Sequence, residues 1–332
     1  MKVRGFGLAS MMYGVGYGFN RPDIGAARIE VAEDGTATLY SGACEMGQGV
    51  ATILGQMTAE ELGIDYSDVE VVLADTASTP DSGPTTASRA TYVQGNAVRK
   101  AAADVRSQMA RAASEMLDCP VEELRFAGGQ VFTEADPPLT VSFKELAAHC
   151  HQSGVRCTGH GWQDITTKDV DPETSQGDAY ATYDWATQLA EVEVDTETGE
   201  VRVVRLASAT DAGKAINPQN VEGQIEGGAV MGIGYALLED YIIGPEGKPR
   251  TNRLSQYRVA TALDVPDVDS LIVEVPEPSG PFGAKGIAEP ASIPTAPAIL
   301  NAIYDAVGVR VTSLPVSPEE ILRLLEEQAA SE

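Results

Sequence analysis

The chain has 332 residues, 43% of them hydrophobic, enough for two ordinary domains with a sizeable buried core. Its 49 Asp and Glu against 23 Lys and Arg give a formal charge of −26, a balance that repels phosphate backbones and argues against nucleic acid as a partner. The 33 Gly and 19 Pro follow no short period, the four cysteines form no dense framework or tight iron–sulfur run, and no apolar stretch reaches about 18 residues, so collagen-like, disulfide-stapled, cluster-binding and membrane-spanning classes fall away and a cytoplasmic protein is expected.

In chain order, Lys2 and Arg4 precede an uncharged stretch to Asn20 that holds Gly5, Gly7, Gly14, Gly16 and Gly18. So many glycines rule out the helical core of a signal peptide, and the segment reads as a Gly-rich N-terminus packed against a partner. Residues 26–40 alternate around Glu33-Asp34-Gly35 and predict a β-hairpin. Residues 48–63 carry Ile53, Leu54, Met57 and Leu62 at helical spacing with Gly63 as a stop. A strand is expected at 69–74, a long Ala-rich helix at 90–117, a strand at 129–133 and a short helix at 142–150. Residues 158–182 are polar and mark a boundary between two mixed subdomains, 1–175 and 176–332. Two strands, 187–195 and 200–209, open the second, followed by a helix at 219–237, a strand at 270–275 and helices at 295–307 and 317–328. Strands and helices mix without strict βαβ alternation, which predicts an α+β fold.

Four segments combine glycine with polar residues beside helix starts: 42–49, 83–95, 223–228 and 280–289. Glycine lets backbone approach a ligand, and helix N-termini present free N–H groups to anions. Each segment alone reads as a turn or cap, but four together fit one large polar cofactor. None is a P-loop, and Gly14-Val15-Gly16-Tyr17-Gly18 lacks the flanking elements of a dinucleotide fingerprint. His149, Cys150, His151, Cys157 and His160 are ligand types, yet their spacing fits no common zinc pattern. Tyr13, Tyr17 and Tyr92 are candidates to line a pocket, with ordinary packing as the default.

The segments EMGQGVATILGQMTAEELG (45–63), DT…TASR…GNAV within 75–98, DAGKAINPQNVEGQIEGG (211–228) and GAKGIAEPASIPTAPAILNAI (283–303) occur in one order. In these the chain resembles the xanthine dehydrogenase and aldehyde oxidase family of molybdenum hydroxylases. The resemblance covers the C-terminal half of the family's molybdopterin-binding region; the earlier Gly-Gly-Phe-Gly and Phe-Arg-Gly segments are not found here. It implies a subunit of a split enzyme, the second of a pair, whose partners are a larger molybdopterin subunit, an iron–sulfur subunit with 2Fe–2S clusters and an FAD subunit. Split nicotinate dehydrogenases are the most similar members, which implies hydroxylation of an N-heteroaromatic ring, nicotinate favoured, with water as oxygen source. A purine or xanthine dehydrogenase, an aldehyde oxidoreductase, or a non-catalytic subunit that closes the cofactor site are the alternatives.

Carried onto this sequence, the resemblance implies that Glu289 is the active-site base and that Gln224 bonds near the metal. Met46, Gly47 and Gln48 form a pterin-contacting turn. Thr86 and Ala87 lie beside metal and substrate, Ser88 and Arg89 continue toward the cofactor, and Lys285 and Gly286 form the turn before the base. Ala288 stands where the family usually has Gly. No side chain ligates molybdenum, which the pterin holds, in its cytosine dinucleotide form. Apart from the resemblance, Glu289 before Pro290 reads as a first-turn helix charge.

Overall fold

In the computed structural model, which describes residues 1–331, the Gly-rich N-terminus forms a 13-residue strand, β1 (Lys2–Gly14). The glycines belong to the strand because a helix from the far end of the chain packs onto its backbone. A Cβ on Gly5 would lie 2.3 Å from the Ala302 carbonyl, and one on Gly7 2.1 Å from that of Ala298.

The expected hairpin follows as β2 (Ile24–Val31) and β3 (Ala37–Ser41), where Gly35 takes φ +87° and Asp34 accepts from the Thr36 N–H. Helix α1 (Val50–Leu62) stops at left-handed Gly63, and β4 (Val69–Leu73) runs parallel to β3. A π-helical turn, Ala90–Gln94, leads into α2 (Gly95–Leu117). Sequence patterning predicts only the middle strand of the small sheet β5 (Leu124–Ala127), β6 (Gln130–Thr133) and β7 (Thr140–Ser142). Helix α3 (Phe143–Gln152) starts in a capping box of Ser142 and Glu145.

The polar stretch after residue 157 holds a strand, β8 (Thr158–Asp164), beside β2. Its glycines again admit a helix: a Cβ on Gly161 would sit 1.9 Å from the Ala97 carbonyl of α2. Then come β9 (Tyr183–Asp195), β10 (Val201–Asp211), α4 (Pro218–Leu237), β11 (Asp267–Val273), α5 (Thr295–Val307) and α6 (Pro318–Ser331).

Two four-stranded mixed sheets organise the molecule, β4-β3-β2-β8 and β1-β9-β10-β11. Helices α1 and α2 bury one face of the first around Ile29, Leu39, Leu54 and Met109; α4 and α5 bury one face of the second around Val192, Leu206, Ile233 and Ile299. Segregated helices on mixed sheets make the fold α+β, as expected. Strand β1 pairs with β9 along its whole length, so residues before 175 contribute to both sheets. Among the described residues, no helix is long and apolar enough to cross a membrane.

Candidate functional site

The Gly-rich segments, distant in sequence, meet at one end of the two sheets. The 42–49 loop leaves β3 and is tied to the 82–89 loop through Gly42 N–H to Ser82 Oγ (3.0 Å) and Cys44 N–H to Thr85 Oγ1 (2.9 Å). Within it, the Glu45 carboxylate accepts from the N–H groups of Gly47 (2.8 Å), Gly49 and Ala51 (both 3.0 Å), closing the open N-terminus of α1. Burial pushes that carboxyl up, but the backbone donors outweigh it and hold the group below its ordinary value. Gly47 takes φ +98° and a Cβ there would meet nothing, while Met46 is 70% exposed. The Gln48 amide closes its own loop, donating to the Cys44 carbonyl at 2.7 Å.

The 86–89 turn is strained: Ala87 (φ 53°) and Ser88 (φ 51°) are consecutive left-handed residues without being glycine. Each costs roughly 1–3 kcal/mol, which persists only where neighbours over-determine the backbone. Arg89 is one such neighbour. Its guanidinium, 1% exposed, donates to Asp23 Oδ1 (2.5 Å) and to the carbonyls of Ser82 (3.1 Å), Pro84 (2.8 Å) and Ile24. Those bonds turn the Arg89 fork inward, where it anchors the turn. Gly16 adds a bond from its N–H to the Ala87 carbonyl, 2.9 Å.

Ser88 fixes Glu289. Its hydroxyl accepts the N–H groups of Ala288 and Glu289, each at 3.1 Å, and donates to the Glu289 carboxylate at Oε2. The same approach explains Gly286, where a Cβ would lie 1.6 Å from the Ser88 carbonyl. Thus 86–89 and 285–289 form one unit. Lys285, 8% exposed, is held by Asp211 Oδ2 and the Tyr183 carbonyl, both at 2.8 Å. Ala288 is exposed, and Glu289 opens a short 3₁₀ turn, Glu289–Ala291.

Helix α4 completes the group. Asn217 caps it by accepting from Asn220 N–H at 3.1 Å, and a Cβ on Gly49 would meet Asn220 Nδ2 at 2.7 Å. Gln48, Gln224, Lys285 and Ile287 line one cavity with Asn217 and Asn220. The expected residues therefore gather around two linked places, this cavity and the Ser88–Glu289 unit, with Met46, Gly47, Thr86 and Ala288 exposed at the rim.

A second cavity adjoins Ala87. Tyr13, Tyr17, Phe19, Tyr180 and Tyr183 wall it, with Arg21 at the wall and glycines at 14, 16 and 18. Phe19 meets Tyr180 edge-on at 5.5 Å, and Tyr180 meets Tyr183 at 5.7 Å. Burial and the neighbouring Glu289 carboxylate push the Tyr13 phenol up to about 12. Tyr92, by contrast, is a core residue bonded to Ser279 Oγ at 2.7 Å.

Sequence reasoning missed Asp184. It lies opposite Tyr13 in the β1–β9 register, is wholly buried, and neither carboxylate oxygen has a partner among the described residues. Burial pushes its carboxyl up to about 8; Lys285 lowers it only in part, and Asp211, Glu289 and Glu277 raise it further. The period-two pattern of 183–195 carries the signal, since Asp184 falls on the same face as Ala186, Ala190 and Val192.

Of the His and Cys cluster, Cys150 and Cys157 pack in the first core and His151 bonds the Val31 carbonyl at 2.8 Å. Among the described residues, no group of three or more His, Cys, Asp or Glu could hold a metal ion.

Comparison with known proteins gives a consistent picture. A molybdopterin cofactor-binding domain family matches residues 1–266. The chain is 33% identical over 323 residues to a probable xanthine dehydrogenase subunit of Bacillus subtilis (97% of this chain, 42% of the relative). It is 35% identical over 325 residues to the gamma subunit of the 6-hydroxypseudooxynicotine dehydrogenase complex of Paenarthrobacter nicotinovorans (96% and 39%). Its structure matches quinoline 2-oxidoreductase from Pseudomonas putida 86 with a TM-score of 0.86 at 28% identity, covering 98% of this chain and 42% of that one. The chain thus spans about two-fifths of the length of these relatives.

Proposed function

Because this chain belongs to the molybdopterin cofactor-binding domain family of the molybdenum hydroxylases, we propose that it forms half of a molybdenum-cofactor site and carries the base of a hydroxylase acting on an N-heteroaromatic ring. The residues fit an extended pterin. Gly47, Gly223 and Gly227 leave backbone open where a Cβ would meet nothing, and Gln48, Gln224 and Asn220 set amides around one cavity. In this reading Met46, Gly47, Gln48, Thr86, Ala87, Gln224, Lys285, Gly286 and Ala288 border the cofactor, in its cytosine dinucleotide form. The two halves of the chain, divided near residue 175, build one wall of its site. When bound, the cofactor supplies the two-electron acceptor for oxidation of the ring carbon, with oxygen from water.

Glu289 then serves as base. Ser88 occupies Oε2 and holds the peptide N–H groups of 288 and 289, which fixes the carboxylate and leaves its other oxygen to take a proton. Ala87 lines the aromatic cavity and the next residue, Ser88, holds this carboxylate, so the base stands beside a cavity whose flat walls suit a planar ring. That juxtaposition of base and aromatic cavity carries the reading. Relatives named for 6-hydroxypseudooxynicotine and for quinoline accord with it. Arg21 at the cavity favours a ring that bears a carboxylate, as nicotinate does. Electrons leave through iron–sulfur and FAD subunits, and the four free cysteines accord with a reducing, cytoplasmic location.

The test is Arg21→Gln in the assembled enzyme. KM for nicotinate should rise at least several-fold while KM for an uncharged pyridine substrate stays unchanged. An equal effect on both, or on neither, removes the carboxylate reading.

A further inference from the structure

The two sheets differ in their free faces. On the first, the side away from α1 and α2 presents Arg28, Glu30, Thr38, Tyr40, Glu70 and His160, with Trp162 exposed among them and Arg28 paired to Glu30 and stacked 4.0 Å over Tyr40. Such a face is at home in water. The second sheet is the reverse. On the side away from α5, Phe6 (54% exposed), Leu8 (57%), Met12 (57%), Trp185 (54%), Leu189 (42%) and Leu271 (54%) point outward. The strand register joins them: Leu8 lies opposite Leu189, Met12 opposite Trp185, and Ala209 opposite Leu271. Ser10 and Thr187, bonded to each other at 2.8 Å, interrupt the centre with hydroxyls rather than charges. Charges collect at one end, where Lys2 pairs with Glu193, Arg4 with Glu191 and Arg205 with Asp269.

An apolar centre depleted of charge, bordered by ion pairs, has the anatomy of a protein interface. We infer that this face of the β1-β9-β10-β11 sheet docks the larger molybdopterin subunit, which lays an apolar layer across it and in the same contact closes the aromatic cavity. The inference rests on the reading of this chain as half of a cofactor site. Two observations select that occupant. The relatives hold about three-fifths of their length outside the region this chain matches, so a body of that size remains to be accommodated. The patch is also continuous with the site: Met12 belongs to both the sheet face and the cavity wall, and Ala87 on that same wall is followed by Ser88, which holds Glu289. A polypeptide seated on Met12 and Trp185 therefore stands at the open side of the cavity.

Oxidative footprinting of the native assembly and of the free full chain tests this, since Met12 and Trp185 are reactive and Trp162, 56% exposed on the polar sheet, gives a reference in the free chain. In the free chain Met12, Trp185 and Trp162 should all oxidise readily. In the assembly Met12 and Trp185 should be protected several-fold. The double variant Leu8→Lys, Leu189→Lys should keep the far-UV circular dichroism of the free chain and fail to copurify with the larger molybdopterin subunit. Equal labelling of Met12 and Trp185 in both states, or a double variant that assembles normally, overturns the docking face. Protection that appears in the free chain as its concentration rises assigns the face to a second copy and overturns it too. A native chain that copurifies with no molybdopterin subunit refutes the underlying reading instead, so the two failures are distinguishable.

Discussion

Asp184→Asn is expected to stabilise this protein, with a gain that depends on pH. The carboxyl is wholly buried without partners among the described residues and is raised from 3.8 to about 8. Between those values the folded chain holds a proton that the unfolded chain releases, so folding stability falls as pH rises from about 4 to about 8 and is flat outside that window. At 1.36 kcal/mol per pH unit, about three units at pH 7 make a cost of about 4 kcal/mol. Asn has the same shape and no proton to lose, and its amide is buried in the same surroundings, so the variant escapes this term only. The melting temperatures of wild type and variant, measured as the full chain from pH 4 to pH 9, should coincide near pH 4 and diverge to a plateau near pH 8. A chain of this length shifts by roughly 1–3 °C per kcal/mol, so the offset at pH 7 should be about 4–12 °C above wild type, rising further to the plateau. The acid form should also show a protonated-carboxyl stretch in the infrared at pH 6 that the variant lacks. An offset independent of pH, or a variant less stable at pH 8, refutes the reasoning, because it would mean that Asp184 is ionised and held by an unseen partner.

Ser88→Ala removes the acceptor of two backbone N–H groups and the donor to Glu289, so about 1–3 kcal/mol of stability should go for each unsatisfied group, and turnover should fall while molybdenum content is retained. Unchanged turnover would separate Ser88 from the base. Gly7→Ala brings a Cβ to 2.1 Å from the Ala298 carbonyl and should force α5 off β1 at a cost above about 3 kcal/mol, read as a collapse of the melting temperature. A melting temperature within a degree or two of wild type would contradict the close packing.

The elements legible in the sequence are those whose period is written in large apolar residues. Ile53, Leu54, Met57 and Leu62 with Gly63 specify α1, and Ile299 and Ile303 mark the buried side of α5. Strands β1 and β8 were hidden because Gly5, Gly7, Gly159 and Gly161 take inward positions, where they admit the close approach of α5 and α2 rather than burying side chains. The pattern that could reveal them is Gly at alternate positions together with an Ala-rich helix elsewhere. In the site, the segments at 42–49, 83–95, 223–228 and 280–289 were legible through glycine and family resemblance, and the structure brings them together. Their internal division of labour was not. A sequence cannot say that the Arg89 fork turns inward to four acceptors, or that Ser88 supports Glu289 across 201 positions. The aromatic cavity was visible only as scattered Tyr13 and Tyr17; Phe19, Tyr180 and Tyr183 join them through tertiary packing.

The central claim is that Glu289, held by Ser88, is the base of a molybdenum-dependent hydroxylation. Glu289→Gln keeps the size and polarity of the side chain but cannot take up a proton. Single-turnover reduction of the purified assembly by substrate, measured with its molybdenum and pterin content, should show a rate lowered by about 10²–10⁴ with cofactor content unchanged. Retention of more than about a tenth of the wild-type rate, against that range, would contradict the account and leave Glu289 as a first-turn helix charge.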